Sequence, residues 1–174
     1  MKKILIVVDY QQDFISGALG FDKALEIKGN IIKKLNLYSQ NNYQIAFTMD
    51  THDDFYLDTL EGKFLPIKHC IKGSNGHKLH PDLEDYTKNA LIFEKNTFGS
   101  KELGKYLEEN FFDEIEFCGL ISNICVLSNA IIAQTFSPNS KIIIDRSATI
   151  SHIDEINETF DIYLSSLGIK NNWF

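Results

Sequence analysis

Residues 4–9 read Ile-Leu-Ile-Val-Val-Asp, five aliphatic side chains in a row followed by a carboxylate. A short, continuous apolar run predicts a strand buried on both faces, as in a parallel sheet covered by helices. The run is too short for the core of a signal peptide, which needs roughly 7–15 apolar residues. No other stretch approaches the roughly 20 apolar residues of a membrane-spanning helix. We therefore expect a cytoplasmic protein with no membrane partner.

Strand and helix patterns alternate outward from this first strand. Apolar runs predict further strands at 43–49, 91–93, 114–120 and 141–144. Helical spacing predicts helices at 27–35, 100–110, 122–136 and 153–167. Ser122 is expected to cap the third of these helices. The alternation predicts an α/β fold in which one open parallel sheet carries helices on both faces.

The composition fits one globular domain over residues 1–174. Hydrophobic residues make up 44 % of the chain and charged residues 24 %, which is ordinary for a folded domain. The net charge of −7 argues against a nucleic-acid partner, because nucleic-acid binding needs a basic face. The three cysteines, an odd and low number, predict free thiols in a reducing compartment.

Reactive side chains follow four of the predicted strands. Asp9 ends the first, Asp50 the second and Lys95 the third, while Cys125 comes soon after the fourth. Ligands of open α/β sheets bind outside the carboxyl ends of the strands. We therefore expect these side chains to meet at one edge of the sheet, and this convergence carries more weight than any single residue.

Cys125 is the candidate nucleophile. A helix N-terminus favours the thiolate and lowers the pKa of the thiol. Asp9 could accept the thiol proton as a general base, and Lys95 could stabilise developing negative charge. Each residue also has a simpler interpretation: a buried helix cysteine, a carboxylate bound to loop amides and a solvated charge. Cys70 and Cys118 are interpreted as structural.

The stretch 50–75 is irregular and rich in charge, glycine and histidine, and such long loops are usually functional or disordered. Asp50, His52 and His69 offer a carboxylate and two imidazoles, which suit a catalytic divalent metal such as zinc, iron or manganese. Further carboxylates lie nearby at Asp53, Asp54, Asp58 and Glu61. Spacing selects no role for the two remaining histidines of this region, His77 and His80. His152 is interpreted as a surface residue.

Four segments, in order along the chain, resemble motifs of the isochorismatase-like cysteine hydrolases, and of their nicotinamidase/pyrazinamidase branch in particular. Residues 9–14 read Asp-Tyr-Gln-Gln-Asp-Phe and resemble the family's D-x-Q-x-D-F opening. The other three resemble the nicotinamidase stretch around a His-Cys pair (66–76), the family's Lys- and Phe-containing segment (94–100) and its G-x-x-(T/S)-(D/N)-x-C-V nucleophile motif (119–126). The resemblance spans most of the chain.

The resemblance implies a Rossmann-like, three-layer α/β/α fold whose mainly parallel sheet has roughly six strands. It implies a catalytic triad with Asp9 as base, Lys95 as electrostatic partner and Cys125 as nucleophile. It also implies a cis peptide bond between Leu120 and Ile121. This bond would aim the backbone N–H of Ile121, together with that of Cys125, at the oxyanion.

Nicotinamidases bind a metal through an Asp, a His two residues further on and the His of the His-Cys pair. The resemblance therefore implies Asp50, His52 and His69 as ligands, with zinc as the expected metal and iron or manganese as alternatives. Some relatives add a carboxylate from the intervening loop, which implies Glu61 here, with Asp58 as the second choice.

The implied activity is hydrolysis of a linear amide C–N bond: deamidation of nicotinamide to nicotinate and ammonia through a cysteine thioester, with a place in NAD salvage. Many nicotinamidases have a Trp just before the His-Cys segment, whereas this chain has Phe64-Leu65 there. The ring of this small-molecule amide is expected against Phe14, Phe64 and Leu65. Alternatives are another small amide, carbamoyl or enol-ether substrate, or a non-enzymatic metal-storing or thiol-sensing module. Family members are often dimers or tetramers, which leaves a homo-oligomer open.

Overall fold

A computed structural model of the chain describes residues 1–172. The strands of this part are β1 (Lys3–Val8), β2 (Gln44–Asp50), β3 (Leu91–Lys95), β4 (Glu114–Gly119), β5 (Lys141–Thr149) and β6 (Lys170–Asn172). They form one six-stranded sheet in the order β3-β2-β1-β4-β5-β6. Each neighbouring pair is parallel, which confirms the predicted parallel sheet.

Helices cover both faces of the sheet, so the predicted three-layer α/β/α architecture is confirmed. They are α1 (Gln12–Ile15), α2 (Lys28–Gln40), α3 (Leu60–Phe64), α4 (Glu84–Thr87), α5 (Lys101–Glu109), α6 (Leu127–Phe136) and α7 (Asp154–Ser166). Successive side chains of a strand point to opposite faces. Ile4 and Ile6 of β1 accordingly join the apolar cluster built with α5, α6 and α7, whereas Leu5 and Val7 join the cluster built with α2.

The strand prediction was incomplete where the sheet is polar. β5 continues to Thr149, beyond the predicted end at 144, because the Asp-Arg-Ser-Ala-Thr sequence of its second half lacks the apolar signal. β6 (Lys-Asn-Asn) is absent from the predicted alternation. It pairs only with β5 at the edge of the sheet, where a strand need not be apolar on both faces.

The helix predicted at 122–136 is wrong in its first turn. Ser122–Val126 forms a π-helical turn, and α6 begins only at Leu127. Within the described part of the chain, the buried Ser122 hydroxyl has no hydrogen-bond partner and so caps no helix, and the backbone N–H of Ser122 donates to the carbonyl of Ile150. A wider turn is thus inserted between β4 and α6.

The strand order reverses direction between β1 and β4, and ligands of such sheets bind in the crevice outside the carboxyl ends at that point. Close approach of the two strands here requires glycine. Gly119 has φ +108°, and a Cβ on it would lie 2.1 Å from the carbonyl oxygen of Val8. The fold therefore opens a crevice between the ends of β1 and β4.

A buried ionic cluster anchors α2 to the sheet. Lys34 Nζ lies 2.8 Å from Glu116 Oε1 and 3.0 Å from Asp145 Oδ2, and the Tyr38 hydroxyl donates to Glu116 Oε2 at 2.7 Å. Buried charges need such partners, because removal of one leaves the others uncompensated.

Among the helices of residues 1–172, none has the length and apolarity of a membrane-spanning segment.

Candidate active site

Asp9 stands where β1 ends and the chain turns away from the sheet. Its φ of +47° marks this turn, and its side chain is fully buried. Oδ2 lies 2.6 Å from Lys95 Nζ, and Oδ1 accepts a hydrogen bond of 2.6 Å from the Thr48 hydroxyl. The carboxylate is thus held by a cation and a hydroxyl, not by loop amides.

Lys95 ends β3 and reaches across the end of β2. Its Nζ lies 3.3 Å from Asp50 Oδ1 and 3.8 Å from Cys125 Sγ, in addition to its ion pair with Asp9. Burial opposes the ammonium charge, but the neighbouring carboxylates of Asp9 and Asp50 outweigh it and raise the pKa of Lys95. The lysine is therefore charged at neutral pH, and it is not a solvated surface charge.

Cys125 lies in the π-helical turn and faces the crevice, with 6 % of its surface exposed. Burial, followed by the charge of Asp9, raises the pKa of this thiol well above its ordinary value. The prediction of a lowered pKa is therefore wrong, because desolvation and a neighbouring carboxylate outweigh the helix end. Burial also raises the pKa of Asp9, against the opposing effect of Lys95. These surroundings therefore favour the neutral form of the Cys125 thiol.

The peptide bond between Leu120 and Ile121 is cis, at the position implied by the family resemblance. Ile121 and Cys125 both line the cavity that opens at the crevice. The other two cysteines, Cys70 and Cys118, are fully buried, and burial raises the pKa of both thiols. Neither lines this cavity, which agrees with a structural role for both.

Asp50, His52 and His69 come together as a buried cluster in which one ligand atom from each lies within 4.8 Å of the others. The Nε2 atoms of His52 and His69 lie 3.0 Å and 3.2 Å from the same oxygen, Asp50 Oδ2. His69 Nδ1 bonds the carbonyl of Ile67 at 2.8 Å, which leaves Nε2 directed into the cluster. Two imidazoles and a carboxylate converging in this way fit a divalent cation.

Glu61 is the fourth group of this cluster. Its Oε1 lies 4.0 Å from Nε2 of both His52 and His69. Burial, followed by the charge of Asp50, raises the pKa of Glu61, whereas His52, His69 and Lys95 oppose this shift. Asp58, the second choice from the sequence, lies exposed in a 3₁₀ turn before α3. The geometry favours Glu61 over Asp58 as a further ligand.

The electrostatics of the cluster follow from its close contacts. Burial opposes the Asp50 carboxylate, but hydrogen bonds from His52 and His69 and the charge of Lys95 hold its pKa well below the usual range. Burial likewise opposes the charged form of His69, whereas its bond to Asp50 raises its pKa. Asp50 thus touches both clusters, with Oδ1 toward Lys95 and Oδ2 toward the imidazoles.

A cavity of about 490 Å³ is lined by Cys125 on one side and by Asp50, His69 and Glu61 on the other. The three predicted substrate contacts, Phe14, Phe64 and Leu65, all line it. Phe14 packs edge-on against His69, with ring centroids 5.6 Å apart, whereas Phe64 on α3 is 86 % exposed. Further lining residues were not predicted: Leu19, Phe21, Phe98, Ile124 and His152. His152 is exposed, as expected, but it stands at this cavity opposite the Phe21 ring.

Other residues around the cluster escaped the sequence reasoning. The Tyr56 ring lies 4.5 Å and 4.9 Å from the rings of His52 and His69, and burial raises the pKa of Tyr56 to about 12. His77 Nε2 bonds the Thr51 hydroxyl at 2.9 Å. His80 accepts from the backbone of a neighbouring 3₁₀ turn and does not join the metal-ligand cluster. No periodic signal marks these contacts, which join separate segments.

The chain belongs to the isochorismatase family, since residues 3–170 match the isochorismatase domain. A nicotinamidase of Saccharomyces cerevisiae is 26 % identical over 198 residues, with 88 % of this chain and 91 % of the relative covered. The pyrazinamidase of Pyrococcus horikoshii, solved in complex with zinc, superposes with a TM-score of 0.86 at 25 % identity over 100 % of both chains.

A pyrazinamidase/nicotinamidase from Streptococcus mutans gives a TM-score of 0.87 at 27 % identity, over 98 % of this chain and 100 % of that one. These similarities confirm the predicted nicotinamidase/pyrazinamidase branch. The chain is thus similar to hydrolases of this family along nearly its whole length.

Proposed function

We propose that this hydrolase converts nicotinamide and water to nicotinate and ammonia, with Cys125 as nucleophile and a divalent metal as cofactor. One observation carries the proposal: Cys125, which contacts Lys95 and so the Lys95–Asp9 ion pair, lines one aromatic-walled cavity together with Asp50 and His69 of the candidate metal cluster. The nicotinamidases and pyrazinamidases among the similar proteins support it.

The first step is transfer of the thiol proton. Because the Cys125 thiol is neutral at rest, Asp9 accepts its proton as Sγ attacks the amide carbon. The raised pKa of Asp9 suits a base that must hold this proton and later release it. Lys95, charged throughout, offsets the negative charge that forms on sulfur and oxygen.

The second step is loss of ammonia. The backbone N–H groups of Ile121 and Cys125 are the proposed donors to the oxyanion of the tetrahedral intermediate. As this intermediate collapses, the C–N bond breaks and protonated Asp9 gives its proton to the leaving nitrogen. Water then attacks the thioester and gives one proton to Asp9. As the C–S bond breaks, Asp9 passes this proton to the Cys125 sulfur, which restores the thiol, and the released acid ionises to nicotinate.

Asp50, His52, His69 and Glu61 are the proposed holders of the metal. When bound, a divalent cation there would supply a Lewis acid for the pyridine nitrogen and so orient the ring. Zinc is our first choice, because this nitrogen- and oxygen-donor set suits it and the Pyrococcus relative was solved with zinc. Iron and manganese accept the same ligands. Phe14, Phe64 and Leu65 are the proposed walls for the ring.

Ammonia release from nicotinamide by the metal-loaded protein, with and without a chelator, tests the proposal. We expect release that stops on chelation and that Cys125→Ala abolishes. No release from nicotinamide would refute the substrate, and full activity of Cys125→Ala would refute the mechanism. Because Phe64 leaves one wall of the cavity open, the second candidate is another small amide, carbamoyl or enol-ether substrate. Activity on such a compound that survives chelation would favour it.

A further inference from the structure

β1 leaves the sheet before its neighbour β2 does. The last paired residues are Val8 and Thr48, whereas β2 continues to Asp50. The N–H of the next residue, Thr51, points to the other side, where it donates to the carbonyl of Lys95 at 2.7 Å. The N–H and carbonyl of Asp50 therefore face the space that β1 has vacated, and buried peptide groups require partners.

The side chain of Gln11 fills this space. Its Oε1 accepts from the N–H of Asp50 at 2.7 Å, and its Nε2 donates to the carbonyl of Asp50 at 2.8 Å. Nε2 also donates to the carbonyl of His77 at 2.8 Å, and Gln11 is fully buried. The carboxamide thus replaces the missing strand with the same pair of hydrogen bonds that a strand would make.

This set of hydrogen bonds made by the Gln11 carboxamide, the Gln11 clasp, orients more than one of the proposed metal ligands. Side chains two residues apart in extended backbone share a face, so the orientation of the Asp50 peptide also sets the direction of His52. The segment around His69 then pairs with His52: the N–H of His52 donates to the carbonyl of Cys70 at 3.0 Å, and that of Lys72 to the carbonyl of His52 at 2.8 Å.

Asp13 holds the other half of the site. Its Oδ2 accepts from the N–H of Cys70, adjacent to His69, at 2.7 Å, and its Oδ1 accepts from the N–H of Ala18 at 3.1 Å. A Cβ on Gly76 would lie 2.0 Å from Asp13 Oδ2. The loop that carries His69 is therefore wrapped directly onto this carboxylate.

We propose that Gln11 and Asp13 are the positioning residues of the metal site: Gln11 sets Asp50 and His52, and Asp13 sets His69. The inference rests on the metal-dependent function proposed above. Both residues act on the backbone of the ligand-bearing segments and leave the ligand atoms free. Partners that orient metal ligands typically change metal affinity by roughly 10–100-fold when lost.

Titration with Co²⁺, followed by visible absorbance and by competition with a chelator, measures the affinity and the geometry of the site. The variants are Gln11→Leu, Asp13→Ala and the shape-preserving Asp13→Asn. Gln12→Leu is the matched control, because within residues 1–172 the Gln12 side chain accepts a single hydrogen bond, from the exposed Ser16 hydroxyl at 3.4 Å. Alkylation of Cys125 by iodoacetamide in metal-free protein reports on the nucleophile, and thermal melting verifies folding.

We expect Gln11→Leu and Asp13→Ala to weaken Co²⁺ binding roughly 10–100-fold and to alter its visible spectrum. Asp13→Asn should retain part of the affinity, since one amide oxygen can still accept from Cys70, and this variant keeps the test decisive if Asp13→Ala does not fold. Gln12→Leu should bind Co²⁺ with the wild-type affinity, and the rate of Cys125 alkylation should be the same in all the variants.

Unchanged Co²⁺ affinity in folded Gln11→Leu or Asp13→Asn would overturn the inference, as would an equal loss of Cys125 alkylation. Failure of the wild-type protein to bind Co²⁺ would overturn both this inference and the proposed metal dependence. Tight Co²⁺ binding in a protein that leaves nicotinamide intact would overturn the proposed substrate alone.

Discussion

The two halves of the site are built differently. In the cluster of Asp9, Lys95 and Cys125, Asp9 follows β1 and Lys95 ends β3, on either side of β2, and the two form an ion pair of 2.6 Å. Cys125 lies in the π-helical turn after β4. In the metal cluster, only Asp50 belongs to a strand; His52 and His69 lie in the connection between β2 and β3.

This difference indicates that the sheet itself fixes the proposed catalytic groups, whereas hydrogen bonds with the Gln11 and Asp13 side chains fix the segments that carry the proposed metal ligands. Asp50 is the point of contact between the two, with one oxygen toward each cluster. The following predictions separate the clusters, from the largest expected effect to the smallest.

Removal of the nucleophile is the strongest test of the sheet-fixed half. We expect Cys125→Ala to lower kcat for ammonia release by on the order of 10⁴–10⁶-fold, as for loss of nucleophiles in other hydrolases. Cys118→Ser is the matched control, because Cys118 is buried in β4 away from the cavity; its activity should persist. Comparable kcat values for the two variants would contradict the assignment.

Removal of a proposed metal ligand tests whether the metal cluster, the loop-borne half of the site, can be lost without a change in the reactivity of Cys125. His69→Ala should abolish stoichiometric metal binding and lower nicotinamide hydrolysis by more than about 100-fold. Loss of even a hydrogen-bond partner of a metal ligand lowers metal affinity or activity by about 10–100-fold. Its Cys125 thiol should still alkylate at the wild-type rate. Metal analysis by mass spectrometry checks the binding, with the exposed Asp54→Ala as control. A parallel loss of thiol reactivity would show that the two clusters are not separable.

The Thr48 hydroxyl provides a milder test of the base. Its hydrogen bond to Asp9 favours the carboxylate and lowers the pKa of Asp9. Thr48→Val should raise that pKa, so that Asp9 is protonated at higher pH and the acid limb of kcat/KM moves up by about one pH unit. Metal affinity should not change.

The control for this pH shift is Thr135→Val, which removes an exposed hydroxyl on α6 that bonds a helix carbonyl. An acid limb that does not move in Thr48→Val, or that moves equally in both variants, would exclude Asp9 as the group that limits the rate at acid pH.

Truncation of the exposed cavity wall should have the smallest effect. Phe64→Ala should raise KM less than about fivefold with kcat unchanged, because a pocket contact worth roughly 1–3 kcal/mol requires burial and Phe64 is 86 % exposed. Phe55→Ala, also exposed but outside the cavity, should leave KM unchanged. A large fall in kcat would mean that Phe64 closes over the bound ring.

The sheet-fixed half could be predicted from the sequence because a strand end is a local feature. The apolar run that stops at Asp9 and the strand that ends at Lys95 identify two strand ends, and parallel strands bring their ends to one edge. The protonation state of Cys125 could not be predicted, because it depends on burial and on a carboxylate from a distant segment.

The hydrogen bonds by which Gln11 and Asp13 hold the metal-ligand segments could not be predicted from the sequence for a similar reason. Gln11 and Asp13 stand in the quoted D-x-Q-x-D-F motif, but their partners Asp50 and Cys70 are 39 and 57 residues away. The end of β1 leaves the N–H and carbonyl of Asp50 without a strand partner, and only the folded structure shows this. β6 escaped prediction because it is polar and lies at the sheet edge.

The edge of the sheet opposite the crevice tolerates changes in chain length that the site edge does not. The turns at 41–43, 110–113 and 137–140 lead into the amino ends of β2, β4 and β5 and carry none of the proposed site residues. Phe112 in the second turn is part of the core, but the exposed positions 41–42 and 138–139 are of the kind that accept insertions and deletions with little effect on the elements that they join. Relatives can therefore differ in length there, and a fusion partner can be attached there, while the chemistry at the other edge is inherited unchanged.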